Sequence, residues 1–431
     1  MKYKITFSVI AAAALASCTQ NEDFTSQYNE NAKTMKFDVA YVGKNTRAAT
    51  GDITSIDDKK FILWGAAYKI NSTSSGTEGT STETVETTGI WITDQEPLYF
   101  QKGASYWEGY NEEVCSNKAE VTYPGSNYKT FFTAIAPSDE FASSSTSGKV
   151  NYTMAGQKDA SSTSPSTSDR KLTLENIPIV QEIDNTSNPK KGTDYLIACY
   201  SGTEEEVSLT FKHLLSKLRF AVWTDEGTMA TAGGETTKII LNKLSIYLPN
   251  NNAKAKYVQK AHDDVDGDWT WESGFTNNTT TPEEPDYQRI EIYNESTGQD
   301  VKYFANATAA HDKTNGADIF DKQYFIAPNG SSSCNLYIDI EYTVSRKKSD
   351  NNWTSSESEA GHKIVKREKM AIPVNDGTHP DNDNNNEGLS HFHQGVIETL
   401  YICLRADQKV TFSTFNVADW VEDPIKGDDL F

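Results

Sequence analysis

Apolar residues recur at every second position along much of this chain, and that period limits what it can fold into. Met35, Phe37, Val39 and Tyr41 alternate with polar neighbours. So do Val207, Leu209 and Phe211, then Leu218, Phe220 and Val222, and later Leu336, Ile338, Ile340 and Tyr342. Successive side chains of a strand point to opposite faces, so the pattern marks strands with one buried face. Phe61 to Gly65, Phe131 to Ala136, Ile239 to Leu248, Tyr401 to Leu404 and Val410 to Val417 read as further strands. No amphipathic helix longer than about two turns is evident. Two β-sandwich domains are the natural architecture for 431 residues of this kind. Between the strands, residues 71–88, 142–170 and 379–387 are Ser, Thr, Asn or Asp rich and read as long polar surface loops.

Composition narrows the partners. The chain carries 61 acidic and 40 basic side chains, a net charge of −21 that repels nucleic acid. Only 36% of residues are hydrophobic, too few for a multi-span membrane protein. Yet 8 Trp, 21 Tyr and 18 Phe supply ample bulk for a core.

The first residues address the chain. Lys2 and Lys4 precede an apolar run from Ile5 to Ala16, too short to span a bilayer. The run ends in Leu15-Ala16-Ser17-Cys18, small residues before a cysteine, the pattern a lipoprotein signal peptidase cuts. Residues 1–17 are therefore the expected signal peptide, with lipid on Cys18. Stable anchoring needs two or more acyl chains on that cysteine. The acidic residues Glu22 and Asp23 follow, as in surface-exported outer-membrane lipoproteins.

Other chemistry is sparse. Cys115, Cys199, Cys334 and Cys403 are widely spaced, with no CxxC pair. Cys199 and Cys403 sit in apolar runs and read as small buried hydrophobes. His391 and His393 share a strand face, but spacing supplies no third metal ligand. Asp264, Asp266 and Asp268 alternate like a calcium loop, although Phe275 stands where an EF-hand needs glutamate. No GxSxG, P-loop or HExxH motif occurs. No catalytic residue, metal or cofactor is expected. Arg47, within Thr46-Arg47-Ala48-Ala49, lies in a small-polar stretch between two strands and suits a trypsin-like protease.

Taken in order, these residues resemble the fimbrillin family, the subunits and accessory proteins of type V pili. Thr46-Arg47-Ala48 is similar to the family's maturation site. Tyr123-Pro124, then Phe131 to Ala134 and Pro137, resembles its aromatic-proline turn and following strand. Asp194 to Ala198, and Leu209 to Leu218 with His213 at its centre, resemble two further segments; Ser216 stands for the usual alanine. Gly395, Tyr401 and Val417-Ala418-Asp419-Trp420 resemble the closing motif.

The resemblance implies two tandem transthyretin-like β-sandwich domains with long polar loops. The expected divisions are a tether or pro-segment over 18–47, an N-terminal sandwich over 48–205 and a C-terminal sandwich over 206–431. It implies export as a lipoprotein to the outer membrane and cell surface, and cleavage between Arg47 and Ala48. The expected partners are other pilus subunits, the outer membrane through the lipid on Cys18, and a host or bacterial surface ligand. Removing a strand with the pro-segment would leave a groove that a strand from another subunit fills. Val421, Ile425, Leu430 and Phe431 are the donor-strand candidates, although the polarity of 421–431 and Pro424 depart from a hydrophobic donor and point to a minor, tip or anchored subunit. His213 reads as structural. The alternative function is a surface glycan-binding lipoprotein that stacks sugars on Trp107, Trp269, Trp271 and Trp353.

Overall fold

The computed structural model describes residues 33–41, 59–73, 82–93, 97–155, 170–183, 192–225, 237–250, 252–271, 282, 286–312, 315–329, 335–348, 352–372 and 392–417. Nearly all of them are strand or the turns between strands. In chain order the strands are β1 (Lys36–Tyr41), β2 (Phe61–Thr73), β3 (Thr82–Val85), β4 (Ile90–Trp91), β5 (Leu98–Lys102), β6 (Trp107–Tyr110), β7 (Lys118–Ala119) and β8 (Tyr128–Ala136). There follow β9 (Phe141–Ala142), β10 (Val150–Met154), β11 (Leu172–Pro178), β12 (Val180–Ile183), β13 (Leu196–Gly202), β14 (Glu206–His213), β15 (Ser216–Trp223) and β16 (Thr237–Pro249). The last are β17 (Lys254–Gln259), β18 (Gly267–Trp271), β19 (Tyr287–Asp300), β20 (Gln323–Ile326), β21 (Tyr337–Arg346), β22 (Lys363–Ala371), β23 (Ile397–Leu404) and β24 (Val410–Val417). Among the described residues the only α-helix is a single turn, Ala307–Ala310, and none is long and apolar enough to cross a membrane.

The N-terminal half is built on one large sheet. Its strands run β1-β14-β13-β8-β2-β5-β6-β7, and β1 also pairs with β6. That second pairing closes the first seven strands into a barrel. Closure removes the exposed edges that an open sheet would leave. Aromatic rings fill the inside. Phe37 lies 4.8 Å from Phe100 and 5.2 Å from Phe132, while Phe61 stacks on Phe100 at 5.1 Å and reaches Phe211 at 5.4 Å. Such offset and edge-on pairs add to the area they bury.

The outer face of the same sheet is also covered. Ile62, Trp64, Ile135 and Ile197 share a core with Tyr152, Leu172 and Leu174 of the β18-β17-β11-β10-β9 sheet. With both faces covered, every residue from Phe61 to Tyr68 is buried, and strict alternation gives way to a continuous apolar run.

The C-terminal half holds a β12-β20-β15-β23-β24 sheet and a β19-β16-β21-β22 sheet. Leu218, Phe220 and Val222 of β15 meet Ile246, Ile338 and Tyr342 in the continuous core that runs through both halves. All eight residues of β15 and of β23 are buried. The second faces of these strands lie under the segment from Phe304 to Ile319, which packs on Ala221, Trp223 and Tyr401.

Two exchanges tie the halves together. β12 leaves the N-terminal half and pairs with β20, from Val180 opposite Ile326 to Ile183 opposite Gln323. The β17–β18 hairpin runs the other way and completes the N-terminal second sheet, with Thr173 opposite Val258 and Leu174 opposite Tyr257. β14 is a stave of the N-terminal barrel. A division between 205 and 206 therefore separates β14 and the hairpin from the sheets they belong to.

The long polar segments are partly ordered. Thr82–Val85 pairs back on Ile70 to Thr73, inside the expected loop 71–88. Val150, Tyr152 and Met154 of β10 are buried inside the expected loop 142–170. Three alternating apolar side chains suffice for an inner-sheet strand despite the Ser and Thr around them. Residues 379–387 lie outside the described residues.

Candidate functional site

The N-terminal strand β1 sits in a slot between two other strands of the barrel. The strand is short and begins close to the first described residue. It runs parallel to β14 over six paired positions, from Lys36 opposite Glu206 to Tyr41 opposite Phe211. On its other side it meets β6 in antiparallel sense, with Phe37 opposite Trp107. The residues just before β1 are also held. Met35 donates its N–H to the Val121 carbonyl at 2.8 Å, and the Lys33 carbonyl accepts from Tyr123 at 2.8 Å.

Two side chains carry the burial. Met35 is 4% exposed and Phe37 is 1% exposed. Both point into the barrel with Leu63, Phe100, Trp107 and Leu209. Val39 covers the rim. The charged residues of β1 stay outside. Lys33 meets Glu205 at 2.7 Å and Lys36 meets Glu206 at 3.3 Å, raising both lysines above their ordinary value through hydrogen bonds. Such exposed pairs contribute little stability. The slot therefore consists of a row of backbone partners on β14, a second wall on β6, and an apolar interior filled by Met35 and Phe37.

The residues predicted to act on this slot fall outside the described residues. Cys18, Arg47, Ala48, Val421, Ile425, Leu430 and Phe431 all do so. What the structure places is their approach: β1 ends at Tyr41, before Arg47, and β24 ends at Val417, before the donor candidates.

The two motifs around His213 form one unit. Leu196 lies opposite His213, and Asp194 is buried beside the ring. His213 Nδ1 is 2.9 Å from Asp194 Oδ1 and 2.8 Å from Oδ2, so Nδ1–H donates to the carboxylate. The pair closes the end of β14 and is structural. Gly395 has φ of +68°, a conformation that favours glycine, and its N–H donates to the Leu215 carbonyl.

The remaining candidates are dispersed. His391 is outside the described residues, while His393 turns to the buried Glu398, 3.6 Å away. Asp264 Oδ1 accepts from the Asp266 N–H within the β17–β18 turn. Among the described residues no three His, Cys, Asp or Glu side chains converge as a metal site. Cys115, Cys199 and Cys403 are free thiols. Burial pushes Cys199 up to about 12 and Cys403 up to about 11. Of the four tryptophans proposed to stack sugars, Trp107 and Trp269 are buried. The Trp107 ring packs on Phe61, and the Trp269 N–H donates to Gln394. Trp271 donates its N–H to the carbonyls of Ala327 and Pro328, and Trp353 lies under Lys238.

Sequence reasoning found β1 but missed β6 as its second wall. Trp107, in a polar stretch, gave no strand period. A four-residue strand with one large aromatic is too short to show one.

No protein-family model and no curated relative matches the sequence. Solved structures do share features with it. A Bacteroides ovatus protein described as a candidate for cell adhesion is 11% identical, covers 91% of this chain and 99% of its own, and has a TM-score of 0.37. The tip fimbrial protein Mfa3 from Porphyromonas gingivalis is 11% identical over 87% of this chain and 97% of its own, with a TM-score of 0.27. A fimbrial assembly protein from Parabacteroides distasonis is 9% identical over 89% and 95%, with a TM-score of 0.25. At scores this low the functional reading is carried by the strand pairing.

Proposed function

We propose that this chain is a cell-surface fimbrial subunit or adhesin-like structural protein, built for strand exchange at the β1 slot and without catalytic function. The observation that carries the reading is the placement of β1. A short N-terminal strand, just upstream of Arg47, seals a barrel with only Met35 and Phe37 fully inside. Export as a lipoprotein on Cys18, cleavage between Arg47 and Ala48, and the tandem transthyretin-like assignment belong to the same proposal.

Cleavage would cut the covalent link to β1, and its departure would bare one edge of β14 and the Phe37 hole. Unpaired backbone beside an apolar groove is a template for another strand. The incoming strand would run parallel to β14 and antiparallel to β6, as β1 does. Residues 421–431 are a polar donor with Pro424, so this subunit is better suited to accept than to give. That places it at a tip, at an anchor or in a minor position.

Incubating the purified precursor with an Arg-specific protease tests the reading. The expected result is a single stable product that begins at Ala48, and it then binds a synthetic peptide of residues 33–41 in a one-to-one complex. Resistance of the native protein to the protease, or its degradation to small fragments, would overturn strand exchange.

A further inference from the structure

The inside of the β1 slot is apolar, but its mouth is acidic. Glu204, Glu205 and Glu206 stand in a row where β14 begins, and Glu120 directly follows β7. Three of these carboxylates meet side chains that lead into β1. Lys33 Nζ is 2.7 Å from Glu205 Oε2, Lys36 Nζ is 3.3 Å from Glu206 Oε1, and Thr34 Oγ1 donates to Glu120 Oε2 at 3.1 Å. Lys36 also lies over the ring of the exposed Tyr106, 5.4 Å from its centroid. Burial raises the Tyr123 hydroxyl above its ordinary value, and Glu204 and Glu205 add to the rise, a sign of the negative field at this end.

Among the described residues, the cations paired with Glu205 and Glu206 both belong to the segment that β1 brings. The barrel's own Lys118, two residues before Glu120, is paired with Glu108 at 2.8 Å. If β1 left, the glutamates at the mouth would lose these lysines together. Backbone register fixes where replacements must stand. Lys36 lies opposite Glu206 and Phe37 opposite Val207, in parallel pairing. Lys36 is one position and Lys33 four positions before Phe37. A strand that sets an aromatic ring in the place of Phe37 is held to the same spacing.

Exposed ion pairs add little stability, but charges at the rim of an interface set the association rate and turn away partners of like charge. We propose that the slot selects a strand from a different subunit, with basic side chains one and four positions before its buried aromatic residue, and rejects the C-terminal segment of this chain. The proposal rests on strand exchange at β1 and names the partner. Val421 to Phe431 carries Glu422, Asp423, Asp428 and Asp429 against Lys426 alone. With Ile425 in the place of Phe37, Pro424 and Val421 would stand at the lysine positions. With Leu430 there, Asp429 would face Glu206; with Phe431, the positions fall to Leu430 and Gly427. None of these registers brings cations to both glutamates. Copies of this chain therefore do not link to one another through the slot, and each needs a partner of another sequence.

The test uses the purified chain after treatment with an Arg-specific protease, and labelled peptides whose association is followed by stopped-flow fluorescence. The peptide of residues 33–41 should associate about tenfold faster than the same peptide carrying Lys33→Glu and Lys36→Glu, and the gap should close as salt rises. Glu205→Gln with Glu206→Gln in the protein should remove most of that gap. The peptide of residues 421–431 should not bind at concentrations where the 33–41 peptide saturates. Equal rates for the parent and charge-reversed peptides, or binding of the 421–431 peptide, would overturn the selection and leave strand exchange intact. A cleaved chain that takes up no peptide, or a native chain that resists the protease, removes strand exchange and this proposal with it.

Discussion

Phe37 is the residue on which the β1 slot depends. Its ring is 1% exposed and touches the rings of Phe100 and Phe132 across the barrel. Phe37→Ala would leave a cavity lined by side chains that other strands hold in place. The expected cost is about 3–5 kcal/mol, measurable by chemical denaturation of the uncleaved chain. Glu398 poses a different problem at the same scale. Burial pushes its carboxyl above the ordinary 4.5, and the hydrogen bond to Glu398 raises His393 above the ordinary 6.5. In both cases the folded state holds its proton more tightly than the unfolded one. Stability from each is therefore present at low pH and lost as pH rises, from 4.5 upward for Glu398 and from 6.5 upward for His393. Glu398→Gln removes the first titration and its effect on the second. Thermal midpoints measured from about pH 5 to about pH 8 should fall less steeply in that variant than in the parent chain.

At the scale of elements, alternation located the strands whose apolar residues outnumber their charges. β14 alternates exposed and buried without a break from Glu206 to His213, and its period is plain in the sequence. β22 is the opposite case. In Lys363–Ala371 only Val365 is fully buried, so nothing in the sequence marks a strand; its pairing with β21 makes it one. Lys217 and Arg219 mislead in another way. They sit on β15 among apolar neighbours and read as solvent-facing, yet both are buried, because the strand's second face lies in the interior too. A second layer contributed by residues far along the chain leaves no local period. The β1 slot was half legible for the same reason: the alternation of Met35, Phe37 and Val39 is local, whereas the β6 wall depends on barrel closure. The charges on β22 then acquire a purpose. It is an edge strand of the β19-β16-β21-β22 sheet, and Lys363, Lys366 and Lys369 are exposed along it. Lysines on an edge discourage other strands from adding there. In a protein proposed to assemble through one slot, such guarding keeps strand addition specific. Replacing all three lysines with threonine should increase self-association, seen by light scattering, while leaving the far-ultraviolet spectrum unchanged.

For the whole molecule, the two exchanged elements decide how the halves respond to stress. Tandem domains joined only by a linker unfold separately, each with its own midpoint. Here β12 of the first half is hydrogen-bonded to β20, and the β17–β18 hairpin of the second half completes the sheet that starts with β9. One continuous core runs from Ile62 to Phe412. Melting either half removes a strand or a hairpin from the other, so each loses backbone pairing and apolar cover together. The chain should therefore unfold as one cooperative unit, with a single calorimetric transition whose enthalpy matches the van't Hoff value. Two resolved transitions would show that the exchanges are energetically minor. A fragment of residues 48–205 offers the sharper comparison. It lacks β1, β14 and the hairpin, so its barrel has a gap two strands wide and its second sheet has lost two of five strands. That fragment should not fold alone. A segment that spans residues 33–271 restores all three, although β12, β15 and β16 then lack their partners, and it should recover the N-terminal near-ultraviolet signal. The cell-surface subunit proposed above would gain from this arrangement, because a pull on its C-terminal end would have to break both halves at once rather than open the weaker one first.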